Sequence, residues 1–192
     1  MTKKTTLLFA LLFVNSIVFS QTLRNKILDF AKQNSKDGYF ILTSVGKFKF
    51  EKYCSSDQTK SILGDFATIV HESCHSLNFN MGLTQKKYNE AYYIKDSIFI
   101  FAFKNNIFQS EKINEIVSEE LSKKIYRYET YINDKNTSAN VSGIYGLIDE
   151  YSAYYQSLKV RNDLYNYYFT EICKGYQNVD EWQNYFSKTS GY

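Results

Sequence analysis

The two histidines of this chain stand four residues apart, in the run Ile69-Val70-His71-Glu72-Ser73-Cys74-His75-Ser76-Leu77-Asn78. On an α-helix, residues at that spacing lie about 40° apart around the axis and about 6 Å along it, so a helix here lets both imidazoles reach one point. Leu63, Phe66, Val70 and Leu77 gather on the other side. That pattern calls for a packed layer behind the helix and turns the histidines toward a cleft. Glu72 projects to the flank of the histidine face. Two histidines dropped at random into the chain fall four apart in about 1% of arrangements, and a Glu follows the first in about 6% of those. Coincidence is therefore a poor explanation, and so is the bland alternative of two packed histidines beside a solvated Glu72.

Composition narrows the class. With 44% hydrophobic and 22% charged residues, 18 Tyr and 15 Phe, the chain can bury a substantial core, which excludes a disordered or fibrous protein. Eight Gly and no Pro exclude collagen-like or proline-rich sequence. A balance of 23 basic to 20 acidic residues leaves no footprint for nucleic acid.

The amino terminus reads as a targeting segment. Lys3 and Lys4 precede an apolar run from Leu7 to Phe19, interrupted at Asn15-Ser16 and ending at Ser20. This pattern predicts a secretory signal peptide over 1–20, cut after Ser20. The run is too short for a stable membrane anchor, which needs about 20 mostly apolar residues. The mature chain, 21–192, is then secreted or periplasmic. It keeps Cys54, Cys74 and Cys173, an odd number where disulfides can form, so at most one internal pair is expected. Cys54–Cys173 is the expected pair, because Cys74 falls in a buried helix; the alternative is three free thiols.

The remaining pattern predicts one α+β domain over 21–192. A first amphipathic helix spans 22–35, followed by two strand-like runs, Tyr39–Val45 and Lys47–Tyr53. Ser55-Ser56-Asp57 offers caps for a helical stretch to about Phe79, with a possible break at Gly64. Residues 91–103 are dense in β-branched and aromatic side chains and read as strands. A helix from Ser110 to about Ile125, a loop from Asn133 to Ser142, a long helix from Ile144 to about Phe169 and a short one near Val179–Phe186 complete the series.

Two imidazoles, one carboxylate and a water form a standard catalytic zinc set, whose open fourth position separates it from a closed structural site. In its His71-Glu72-Ser73-Cys74-His75 segment the chain resembles the zincin metallopeptidases. The resemblance implies a zincin-like fold: an active-site helix, a small antiparallel sheet and a long C-terminal helix. It also implies Zn2+ held by His71 and His75, with Glu72 as general base. Metzincins add a third histidine, which this chain lacks, so it is more similar to the gluzincins, in which a Glu on a later helix completes the site. Glu150, in Gly146-Leu147-Ile148-Asp149-Glu150-Tyr151-Ser152-Ala153, matches that E-x-x-A arrangement. Two features depart from the family: the spacer after His75 is longer than in the thermolysin-like pattern, and Tyr154 stands where several such families have an Asp that orients a ligand histidine. Asp65, Asp149 or a backbone carbonyl is left to take that orienting role. Should Glu150 point away, Asp163, Glu171 and Glu119 are the substitutes.

A donor for the developing oxyanion is also required, and Tyr145 and Tyr154, which flank Glu150, are the candidates; for either one, packing is the alternative role. A di-iron carboxylate site needs a second E-x-x-H, and Thr68 occupies the position three before His71, so that class fails. Cys74 as a structural zinc ligand leans toward the apolar stripe instead. Asn136-Thr137-Ser138 and Asn140-Val141-Ser142 match glycosylation acceptors. The expected function is a secreted zinc metallopeptidase acting on a peptide or protein substrate. Its rivals are a non-catalytic binding or structural protein on the same scaffold, and a zinc hydrolase of a non-peptide amide.

Overall fold

The computed structural model describes residues 22–85, 90–103, 109, 112, 115–125 and 127–167. The expected signal peptide at 1–20, the Cys173 half of the expected disulfide, Glu171 and the helix near Val179–Phe186 lie outside the described residues. The described residues are mostly helical, with a small two-stranded antiparallel sheet and a long helix late in the chain, an arrangement compatible with the α+β class. Among the described residues, no helix is long and apolar enough to cross a membrane.

Contacts group into two compact units, Met1–Val70 with Ser157–Tyr192, and His71–Gln156. In the first unit, α1 covers residues 22–34, as expected, and α2 covers Lys36–Ser44. A 3-10 turn follows at Phe50–Tyr53, and then α3 begins; α3 spans Thr59–Thr84 and continues into the second unit. The two strands expected over Tyr39–Val45 and Lys47–Tyr53 are thus corrected to a helix and a turn. Ser35 explains the first correction: its side chain accepts from the Gly38 amide at the N-terminus of α2. Gly38, Ile41, Leu42 and Val45 are then buried together at i, i+3, i+4 and i+7, so burial at helical spacing overrides the β-branched and aromatic content. Gly38 is needed for close approach, because a Cβ there would lie 3.1 Å from Phe66 Cζ. In the second run, Phe50 is buried with the Arg24 guanidinium 4.1 Å from its ring centroid, and Arg24 also donates to the Phe48 and Gly46 carbonyls. Those carbonyls are spent on a side chain and not on a strand partner. Phe30 meets Phe66 edge-on at 5.2 Å, and Lys159 pairs with the nearly buried Asp37. Gly64 does not interrupt α3.

The second unit holds the later part of α3, a hairpin and the helices after it. Strands β1 (Glu90–Lys95) and β2 (Ile98–Ala102) pair antiparallel across Asp96-Ser97, both at positive φ (48° and 66°), as a two-residue hairpin loop requires. The register shifts between Tyr93 and Lys95. Of the helix expected from Ser110 to Ile125, α4, Glu119–Ser122, is the α-helical part among the described residues, with 3-10 turns at Lys112 and Glu115; Ser118 starts α4 by accepting from the Leu121 amide. A π-helical turn follows at Glu129–Asn133, and the expected loop contains a short helix, α5, at Ser138–Ser142. Gly143 ends α5 at φ 60°, ψ −134°, a backbone region that side chains disfavour. Helix α6 then runs from Ile144 to Asp163, with a short α7 at Tyr165–Tyr167.

The β1 edge that faces the helices is satisfied by side chains. Asn78 on α3 accepts from the Tyr93 amide at 2.8 Å, and from α6 Ser152 and Gln156 donate to the Tyr93 carbonyl at 3.2 and 3.3 Å. Gln156 also donates to the Ile94 carbonyl at 2.8 Å. All of these groups except Ile94 are buried. Buried backbone polar groups need such partners, so within this unit the hairpin is registered against the two helices by directional bonds. Asn140, one of the two glycosylation candidates, is buried and donates to the Ile132 and Asp134 carbonyls, so it is not an acceptor in the folded chain; Asn136 is exposed.

Candidate metal centre

Helix α3 places His71 and His75 one turn apart with their Nε2 atoms 3.1 Å from each other. Helix α6 places Glu150 opposite them, its Oε2 3.7 Å from both Nε2 atoms. A point equidistant from the corners of a triangle with sides 3.1, 3.7 and 3.7 Å lies about 2.0 Å from each, the length of a bond from a metal ion to imidazole nitrogen or carboxylate oxygen. His71, His75 and Glu150 therefore form a group that could hold a metal ion. Their side chains are 14%, 23% and 22% exposed, so the group is sheltered without being sealed.

The rings are oriented from behind. Asp149 Oδ2 lies 2.6 Å from His75 Nδ1, and a carboxylate only accepts, so Nδ1 carries a proton, and in the neutral ring Nε2 then presents its lone pair. Asp149 Oδ1 accepts from Asn78 at 2.7 Å. His71 bonds to the backbone of Ala153. Of the three candidates for the orienting role, Asp149 thus serves His75 and a backbone group serves His71. Asp65 is occupied elsewhere, accepting from the Ser55 amide and hydroxyl at 2.8 Å. Adjacent helical residues point about 100° apart, which is how Asp149 and Glu150 reach opposite nitrogens of one imidazole.

The electrostatics differ between the two rings. Burial, then the neighbouring His75, pushes His71 down to about 4, with Arg127 adding to the effect, so His71 is a neutral nitrogen donor near neutral pH. Burial also pulls on His75, but the Asp149 hydrogen bond and charge, with Glu150 and Glu72, outweigh it and hold His75 above its ordinary value. Glu72 is half-buried, next to His71 in the chain, and its charge is felt at His75.

Tyr154 packs edge-on against His71, with ring centroids 4.6 Å apart. Its hydroxyl is 2.9 Å from that of Tyr131, and Arg127 donates to both. Burial and the Tyr131 hydrogen bond push the Tyr154 hydroxyl up to about 12, so it stays protonated. Arg127 holds this position from a backbone at φ 53°, uncommon for a side chain of its size. Tyr145 is placed differently: its carbonyl accepts from the Tyr92 hydroxyl at 3.3 Å. Cys74 is buried with its Sγ 3.8 Å from Ser152 Oγ and is not in the His71, His75 and Glu150 group. Of the substitutes for Glu150, Asp163 accepts from Ser35 at 2.6 Å, and exposed Glu119 pairs with Lys123.

The sequence reading does not single out Asn78, Arg127 or Tyr131. Asn78 carries a visible signal, since it continues the 71, 75, 78 face of α3. Arg127 and Tyr131 lie in a segment without regular periodicity, and nothing local marks them. The chain matches no known protein family, no curated protein and no solved structure.

Proposed function

We propose that this chain is an exported zinc hydrolase of the gluzincin-like zincin type and that it cleaves peptide bonds in peptides or proteins. The observation that carries the reading is the convergence of His71 Nε2, His75 Nε2 and Glu150 Oε2 on one point a metal bond away from each, with both histidines on the helix that also bears Glu72. Two imidazoles and one carboxylate, all partly exposed, suit catalytic zinc better than a closed structural site, which would use four protein ligands.

When bound, zinc would supply Lewis acidity, polarising the scissile carbonyl and making water acidic enough to lose a proton near neutral pH. The chain's own residues do the rest. Glu72 accepts the proton of the attacking water and returns one to the leaving amine. Asp149 and the Ala153 backbone keep the imidazoles in the tautomer and orientation that ligation needs. Tyr154, packed on His71 and kept protonated, is the donor for the developing oxyanion when its one proton turns from Tyr131 to the substrate; Tyr145 is its competitor for that role. Export rests on residues 1–20, whose removal would leave Gln21 as the first residue.

The test is metal analysis of the purified mature chain together with digestion of an unbiased peptide library. About one zinc per chain and peptide cleavage are expected. Glu72→Gln should keep the zinc while turnover falls at least about 100-fold, as loss of a general base requires. Zinc with no cleavage of any peptide favours a non-catalytic domain or a non-peptide amide substrate. Iron, or no metal after gentle purification, refutes the zinc assignment.

A further inference from the structure

We propose that Asn78 is a positioning residue: anchored to the backbone of β1, it fixes which way residue 149 presents its donors and acceptors and so sets the tautomer of His75. The inference deepens the metallohydrolase reading and takes its functional meaning from it, but its structural content stands on four consecutive contacts. The Tyr93 amide donates to Asn78 Oδ1 at 2.8 Å. That bond fixes the flip of the Asn78 amide, because only its oxygen can accept. The Asn78 Nδ2 therefore faces Asp149 and donates to its Oδ1 at 2.7 Å, with a longer contact to Ser152 at 3.4 Å. Asp149 has one oxygen left for His75 Nδ1, at 2.6 Å, and the Nε2 lone pair then points at His71 Nε2 and Glu150. Asn78 is buried, so water does not easily replace a lost partner.

The arrangement makes an unusual demand on position 149. The amide introduced by Asp149→Asn has the shape of the carboxylate but only one acceptor oxygen. Since Asn78 cannot turn without orphaning the Tyr93 amide, the introduced side chain must give its oxygen to Asn78 and its NH2 to His75. His75 Nδ1 then becomes the acceptor, and the proton moves to Nε2, the atom meant for the metal. Exchanging the two residues repairs every link from Tyr93 to His75 and gives up only the 3.4 Å contact from position 78 to Ser152. A carboxylate at position 78 accepts from the Tyr93 amide and from the NH2 of the amide at position 149, whose oxygen is left to accept from His75 Nδ1. A residue that merely filled space would show no such reciprocity.

The experiment compares wild type, Asp149→Asn, and the exchanged Asn78→Asp/Asp149→Asn chain. Because the chain has only two histidines, long-range proton–nitrogen NMR of the metal-free protein at alkaline pH reads each ring's tautomer directly. Zinc affinity is measured in parallel by competition with a chromophoric chelator. Wild type should show His75 protonated at Nδ1, Asp149→Asn at Nε2 with affinity about 100-fold lower, and the exchanged chain at Nδ1 with at least about tenfold of that loss recovered. Retention of the Nδ1–H tautomer in Asp149→Asn, or an Nε2–H tautomer in the exchanged chain, overturns the proposal. Should Asp149→Asn not fold, the exchanged chain decides alone: folded with Nδ1–H it supports the relay, and unfolded or with Nε2–H it overturns it. The tautomer pattern needs no zinc, so wild-type protein that shows it but binds no metal would remove the hydrolase reading and leave the relay standing.

Discussion

Stripping the metal from the folded chain should lower its melting temperature, and the geometry of the centre sets the scale. With both rings neutral, Asp149 holding the His75 proton at Nδ1 and the Ala153 backbone holding that of His71, the Nε2 atoms of the two histidines lie 3.1 Å apart with Glu150 Oε2 3.7 Å from each, so lone pairs face one another. An ion at their common centre turns three unfavourable approaches into three bonds, and it ties α3 to α6 within the His71–Gln156 unit. A ligand present at 100 to 1,000 times its Kd stabilises the folded state by about 2.7 to 4.1 kcal/mol. For a chain of this length each kcal/mol is worth about 2–4 °C, so chelation should cost about 5–15 °C. Glu150→Ala, which removes a ligand, should erase the difference between chelated and zinc-loaded melts to within about 2 °C at the same zinc concentration. Asp149→Ala keeps all three ligands and loses an orienting partner, which costs about 10–100-fold in affinity, or about 1.4–2.7 kcal/mol, so it should retain only part of the shift. The assay is a set of circular dichroism melts of the three proteins at fixed pH, in chelator and in a stated excess of zinc. Identical wild-type melts in zinc and in chelator would refute the metal site. A full wild-type shift in Glu150→Ala would refute the choice of third ligand.

Two further outcomes follow from the same geometry. Tyr154→Phe keeps the ring against His71 but deletes the hydroxyl that Arg127 and Tyr131 hold, so zinc content should stay at wild-type level while kcat falls about 10–100-fold; Tyr145→Phe should change kcat less than threefold or so, and the reverse ranking in steady-state kinetics exchanges the two roles. Burial pushes the Cys74 thiol up to about 12 from 9.0, so above pH 9 the unfolded chain ionises where the folded chain does not, and stability should fall with rising pH by about 1.4 kcal/mol per unit from this group. Urea unfolding at pH 8 and pH 10.5 should show a smaller alkaline loss for Cys74→Ala than for wild type, and parallel losses would count against the buried thiol as a source.

Helical and strand periodicity account for the part of this structure that local residue spacing dictates. The four-residue spacing of His71 and His75 placed both imidazoles on one face of α3, since a 3.6-residue repeat leaves no other arrangement within a helix. The same local logic set α1 and the dense β-branched and aromatic hairpin at 90–102, and it put Glu150 early in a long helix. Where periodicity conflicted with composition, at Tyr39–Tyr53, the reading as strands failed. Burial of Gly38, Ile41, Leu42 and Val45, with Ser35 capping and Arg24 over Phe50, decided the backbone there, and composition carries no record of those contacts. The orienting groups belonged to the tertiary structure for the same reason. Asp65 and Asp149 are equally plausible as carboxylates, and only the closure of a chain segment more than 70 residues long brings Asp149 to His75 Nδ1, Glu150 to the Nε2 pair and Ala153 to His71. Tyr93, Asn78, Arg127 and Tyr131 join the centre through that closure too, because hydrogen-bond partners distant in sequence are chosen by where helices and strands dock, and docking is a property of the whole packed core that no local spacing encodes.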